Sequence, residues 1–231
     1  IWSVLLNLFF VPIYIHLLGI EAYGLIGLNV TLQTTLTLLD LGLTPTMSRE
    51  MARYSVLPEK KQEARDLART LEVVYWGIAI IIGLGIIVLA SPIAEYWIES
   101  KSLTTPTVRH AIMIMGIVAA MQWPVTLYAG GLQGLQDQLL LNGINIATST
   151  LRFVGAALIV WLISPTITAF FLWQILTSGL QTSLLFTFFW QRLPTGQRRA
   201  QIQLHMLRSI RNFAVGMGAM SVISLLLMQA D

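Results

Sequence analysis

Apolar runs of roughly 20 residues recur along this chain, and its charged residues collect in the segments between them. That alternation decides the fold class. A hydrocarbon layer about 30 Å thick takes about 20 apolar residues per helix, because a spanning segment must satisfy its own backbone hydrogen bonds. Only 11% of the 231 residues are charged, against about 25% in soluble domains. A single soluble core is therefore excluded. The expected fold is all-α: a polytopic bundle of about six to seven transmembrane helices.

Seven spans are expected, over 1–18, 23–45, 71–90, 108–129, 139–163, 166–190 and an incomplete 212–231. Turn-forming residues separate them: Gly19 through Tyr23, Ser91-Pro92, Thr105-Pro106, Gly130-Gly131, Ser164-Pro165 and Pro194-Thr195-Gly196. Ile1 and Asp231 both fall inside apolar runs, so the chain is expected to be truncated at both ends. Repeated apolar runs argue against a signal peptide. With no cysteine, a disulfide framework, a Cys-based zinc site and a thiol nucleophile are all ruled out.

Basic residues set the orientation. Arg49, Arg53, Lys60, Lys61, Arg65 and Arg69 lie between the second and third spans. Arg192, Arg198, Arg199, Arg208 and Arg211 lie between the sixth and seventh. Together these are eleven of the fourteen Lys and Arg. Four spans separate the two loops, so both face one side, and the positive-inside rule makes that side the cytoplasm. The amino terminus is then cytoplasmic as well. Both loops are expected to contain helix. Residues 58–70 open on Pro58, suited to a first helical position, although their mixed charges favour a solvated linker. Residues 198–213 place Ile202, Met206, Ile210 and Phe213 on one face, as in a helix lying in the membrane interface.

Polar residues inside the spans line up. Asn29, Gln33, Thr37, Asp40 and Thr44 follow a helical period in the second span. Gln138, Asn142, Asn145, Ser149 and Arg152 do so in the fifth. Lipid satisfies none of these groups, so the stripes are expected to face other helices or a wet cavity. Interhelical hydrogen bonds, about 0.6 kcal/mol each, are the plainer alternative. Arg152 stands out. It lies about 20 Å from the cytoplasmic end of its helix, where a guanidinium costs about 2.5–3.5 kcal/mol and marks a pathway or an ion pair. Its planar fork of donors fits phosphate oxygens. Asp40 lies only about 8 Å deep, which disfavours a direct pair and suits a capping or packing acid.

Other features are weaker. His16, His110 and His205 are scattered and form no metal set, and no cofactor is expected. Gly130-Gly131-Leu132-Gln133-Gly134 lacks the strand and lysine of a phosphate loop. The seven tryptophans fall mostly near span ends, as interfacial anchors do. Pro124 predicts a kink in the fourth span.

The stretch from Tyr14 to Leu25, with Leu18-Gly19, Glu21 and Tyr23-Gly24, resembles the early signature of bacterial polysaccharide flippases. Leu39-Asp40-Leu41-Gly42-Leu43, followed by Arg49 and Ala52-Arg53, resembles the segment after it. These proteins belong to the multidrug/oligosaccharidyl-lipid/polysaccharide exporter superfamily. The resemblance implies two six-helix lobes around a cavity open alternately to each side. Residues 1–211 would form the amino-terminal lobe and 212–231 the start of the second. It implies a bacterial or archaeal cytoplasmic-membrane protein that flips an undecaprenyl-pyrophosphate-linked oligosaccharide, such as an O-antigen repeat unit. Its partners would be that lipid, membrane lipids and a coupling H⁺ or Na⁺, not nucleic acid. The family's cationic cavity residues match Arg152 by type and depth. The expected cavity residues are Arg152, Ser149, Asn145, Asn142, Gln33, Thr37 and Asp40. A cation-coupled multidrug antiporter, using an embedded carboxylate such as Asp40 or Asp231, is the alternative. A membrane glycosyltransferase or ligase fits less well, because the first outside loop offers only Glu21 and the longest, near 91–107, is modest.

Overall fold

The computed structural model describes residues 2–38, 40, 42–98, 103–203, 205–208 and 216–217. Among them there is no strand. Seven α-helices follow in order: α1 (Trp2–Leu18), α2 (Ile20–Leu38), α3 (Leu43–Ser55), α4 (Lys61–Pro92), α5 (Thr105–Gly134), α6 (Gln138–Leu162) and α7 (Ile167–Arg192). A 3₁₀ turn (Pro58–Lys60) leads into α4 and a π turn (Ile93–Trp97) leaves it. Among the described residues, four helices are long and apolar enough to cross a membrane: α4 with its π turn, α5, α6 and α7. Apolar α1 is shorter, at 17 residues. In α2, Asn29, Gln33 and four threonines dilute the apolar character. The expected seventh span, and with it Asp231, lies outside the described residues apart from 216–217.

Backbone chemistry sets the breaks. Gly19 adopts φ +85° between α1 and α2, and Gly42 adopts φ +75° before α3. Both fall in the left-handed region that glycine tolerates best. The break at Gly42 corrects the expectation of one continuous helix over 23–45. Asp40 and Thr44 therefore do not extend the stripe of Asn29, Gln33 and Thr37. The Asp40 carboxylate instead accepts the Thr44 N–H at 2.9 Å and the Thr44 hydroxyl at 2.9 Å, which satisfies a donor of the first turn of α3. At the other end of the chain, the Thr166 hydroxyl accepts the Ala169 N–H at 3.3 Å and caps α7.

The contacts fall into two compact units. The first comprises Ile1–Gln33, Ala79–Gln122 and Asn142–Ser183. Its apolar core gathers Phe10, Tyr14, Leu25, Ile112, Met115, Phe170 and Phe171. The Tyr14 ring stacks on Phe10 and meets Phe170 edge-on, while its hydroxyl donates to the Phe153 carbonyl at 2.7 Å. A buried hydroxyl needs such a partner. In the same unit α4 and α5 cross closely. A Cβ on Gly83 would sit 2.8 Å from Ala120 Cβ, and one on Gly116 would sit 2.9 Å from the Gly83 carbonyl oxygen. Small residues admit this approach between membrane helices.

The second unit comprises Thr34–Ile78, Trp123–Leu141 and Leu184–Asp231. Here Pro58 opens helical structure as expected, but the charged segment after it is no separate linker: α4 starts at Lys61 and continues through it. The interface helix expected over 198–213 is overturned for 198–203, which is irregular; 205–208 is helical, and 204 and 209–213 lie outside the described residues. The reason lies in Asp66, 1% exposed. Its carboxylate accepts from Arg198 Nη2 at 2.7 Å, the Gln201 N–H at 2.8 Å, Gln203 Nε2 at 2.9 Å and Gln62 Nε2 at 2.9 Å. Thr70 Oγ1 accepts the Gln203 N–H at 2.9 Å. Those backbone donors serve α4 instead of a helix of their own.

Candidate functional site

Within the first unit, Arg152 of α6 is half-buried among neutral groups. Its Nη2 donates to Gln181 Oε1 at 2.9 Å and lies 3.5 Å from Ser178 Oγ, both on α7. Gln122 of α5 lies against the guanidinium and Ser178; with its amide in the orientation assigned from this network, the one that satisfies all its neighbours, its oxygen accepts from Arg152 Nη1 at 2.7 Å and from Nη2 at 2.8 Å. The same oxygen accepts the Ser178 hydroxyl at 3.0 Å, and the Gln122 amino group donates to Gln33 Oε1 at 3.0 Å. Gln181 in turn donates to Asn145 Oδ1 at 3.1 Å. The chain Gln33–Gln122–Arg152–Gln181–Asn145 thus links α2, α5, α6 and α7 by side-chain amides. Among the described residues no carboxylate pairs with Arg152. Its Nε hydrogen is buried and unpartnered.

Hydrogen bonds from a charged donor contribute about 1.5–3 kcal/mol each. The amide contacts therefore offset a central guanidinium's insertion cost of about 2.5–3.5 kcal/mol. They leave its positive charge in place, because an amide oxygen is a neutral acceptor. Arginine keeps its proton under all ordinary conditions.

Two predicted cavity residues, Gln33 and Asn145, join Arg152 in one network. The others do not. Ser149 donates back to the Asn145 carbonyl at 2.6 Å, and Thr37 to the Thr34 carbonyl at 2.6 Å. Asn142 and Gln138 are exposed. Asn29 Oδ1 is buried without a partner. Asp40, in the second unit, is held by Thr44 and by the Tyr75 hydroxyl at 2.5 Å.

Gln122, Ser178 and Gln181 are new to the site. The signal for the α7 members is in the sequence: Gln174, Thr177, Ser178, Gln181 and Thr182 repeat with helical period, and four of the five are buried. The second unit holds another group with no sequence signal. Buried Glu72 accepts from the Tyr128 hydroxyl at 2.8 Å and from Trp190 Nε1 at 3.2 Å, and pairs with Arg69. Trp76 Nε1 donates to the Tyr128 hydroxyl at 3.2 Å. Trp2 donates to Thr150 and Trp173 to the Leu151 carbonyl. These four indoles serve internal contacts. Trp97 and Trp161 remain exposed, as membrane-interface anchors are.

A helical bundle with several membrane-length helices and a charge held among their polar side chains defines a polytopic membrane protein. The chain belongs to the polysaccharide biosynthesis protein family, whose model matches residues 1–231. Members of that family are typically membrane flippases or exporters, generally transporters rather than enzymes. No curated protein and no solved structure matches the chain.

Proposed function

We propose that this chain is part of a transporter that moves an undecaprenyl-pyrophosphate-linked oligosaccharide from the inner to the outer leaflet of a cytoplasmic membrane. It works by alternating access, and Arg152 meets the pyrophosphate. One observation carries this reading: a half-buried guanidinium supported by amides, with its charge uncompensated among the described residues. Such a charge offsets the cost of drawing an anion away from headgroup water. A guanidinium has five N–H donors, so it can be held by amides and still carry charge-assisted donors toward an anion, which the three donors of a lysine ammonium do less well. Family membership supports a lipid-linked polysaccharide as the cargo. The cation-coupled antiporter is less well supported. Asp40 is engaged by Thr44 and Tyr75, and Glu72 by Arg69, Tyr128 and Trp190. In the proposed orientation residues 47–70 and 191–211 are cytoplasmic and 91–107 outside, following the basic loops.

The test is substitution at Arg152 in the full-length protein, with protein level measured alongside polysaccharide export. Arg152→Ala should abolish or sharply reduce export, Arg152→Lys should retain part of it, and Arg152→Glu none. Normal accumulation of Arg152→Ala with wild-type export would sink the anion-site reading. Loss of export only through loss of the protein would make Arg152 structural.

A further inference from the structure

Both guanidinium termini of Arg152 are held by glutamine side chains on neighbouring helices, and glutamine is one atom from glutamate. Gln181 accepts from Nη2 at 2.9 Å, and Gln122, in the amide orientation assigned from its neighbours, accepts from Nη1 and Nη2 at 2.7 and 2.8 Å. One Gln122 oxygen thus spans both Nη groups while Gln181 takes Nη2, so each glutamine sets an acceptor where a carboxylate oxygen would also reach the guanidinium. A carboxylate at either position would hold the guanidinium more firmly at almost no change in shape. We propose that Gln122 and Gln181 are positioning residues whose neutrality matters: they fix the guanidinium of Arg152 while leaving its charge available to an anionic cargo. The inference rests on the function proposed above and adds the groups that set the site's charge.

Two further details support it. Each glutamine is itself oriented by another amide, Gln122 through Gln33 at 3.0 Å and Gln181 through Asn145 at 3.1 Å. In each case the outer amide oxygen accepts an amino hydrogen, so the glutamine's own oxygen is turned toward Arg152. Arg152 Nε keeps a hydrogen without a partner. The amides thus occupy the Nη end and leave the Nε edge unused. An ion pair serving only to stabilise the helices would gain from a carboxylate here; an anion site would be disabled by one.

The experiment uses the full-length protein with Gln122→Glu and Gln181→Glu made singly. Export and accumulation are measured in cells, and thermal stability is measured in detergent with and without added undecaprenyl pyrophosphate. Each variant should accumulate normally and melt at or above the wild-type temperature without lipid, since the new carboxylate pairs with Arg152. Export should fall about tenfold or more, as expected where a like charge meets an anion. The stabilising shift from undecaprenyl pyrophosphate should vanish in both variants and persist in wild type. A purely structural role would leave that shift unchanged. Wild-type export with an undiminished shift in either variant overturns the inference. If one variant fails to accumulate, the other decides. The failure of the underlying function looks different: there Arg152→Ala itself exports normally. A wild-type shift of equal size from phosphatidylglycerol removes the pyrophosphate assignment, while a shift abolished by both glutamates still upholds the neutral cradle.

Discussion

Asp40 shows how much one residue's neighbours decide. Its carboxylate accepts three hydrogen bonds, two from Thr44 and one from Tyr75, and this is the work of a helix cap and a packing acid. Asp40→Ala should lower stability by about 1 kcal/mol, the usual cost of losing a cap, and Asp40→Asn by less, because an amide oxygen still accepts. Melting in detergent measures both. Export per molecule should survive Asp40→Asn; export lost at wild-type stability would favour the cation-coupled alternative. The acid's position near a helix end was legible in the sequence as a depth. The break at Gly42 was not, because a helical period read through Asp40 and Thr44 carries no information on φ. Arg152 was legible because charge inside an apolar run is costly. Its partner Gln122 was not, since single polar residues are common in membrane helices, whereas the full α7 stripe marks Ser178 and Gln181.

At the scale of elements, two contacts fix helices by different means. The crossing of α4 and α5 relies on Gly83 and Gly116. Gly83→Ala should lower the melting temperature, overpacking typically costing about 1–3 kcal/mol. Gly85→Ala, where a Cβ meets nothing within 4 Å, should be neutral or slightly stabilising through better helix propensity. Equal effects at the two positions would argue against a tight crossing. The second contact is the irregular segment after α7, tied to α4 by Asp66 and Thr70. Asp66→Asn removes the ion pair with Arg198 and should free that segment, so that trypsin cuts after Arg198 and Arg199 several-fold faster. An unchanged cleavage rate would mean that the backbone contacts alone hold it. Amphipathic spacing at Ile202 and Met206 suggested a helix here. Local pattern could not reveal a buried acid more than a hundred positions earlier competing for the same N–H groups.

For the whole molecule, the alternation of apolar runs and basic segments makes a helical membrane bundle legible from the sequence alone. The boundaries of α4, α5, α6 and α7 lie close to the expected spans, except that α4 starts ten residues early. Helix formation does not stop where hydrophobicity does, and hydropathy cannot mark that start. The absence of cysteine makes orientation testable with single introduced thiols. A cysteine at Glu63 should be protected from an impermeant reagent in intact cells and react once the membrane is opened. Labelling in intact cells would reverse the proposed orientation. Cysteines at Gln33 and Asn145 should react with small polar reagents if water reaches the Arg152 network. Ile146, 49% exposed, is a suitable apolar control. Leu36, also apolar, is 8% exposed and unsuitable.

The 32 residues of α4 make a rod of about 48 Å, longer than the roughly 30 Å hydrocarbon layer. About 18 Å of the rod therefore has to stand outside that layer. Its opening turns carry Lys61, Glu63, Arg65, Asp66 and Arg69, and they are the part that suits water and headgroups rather than hydrocarbon. The same helix that crosses the layer thus also supplies the polar surface beyond it.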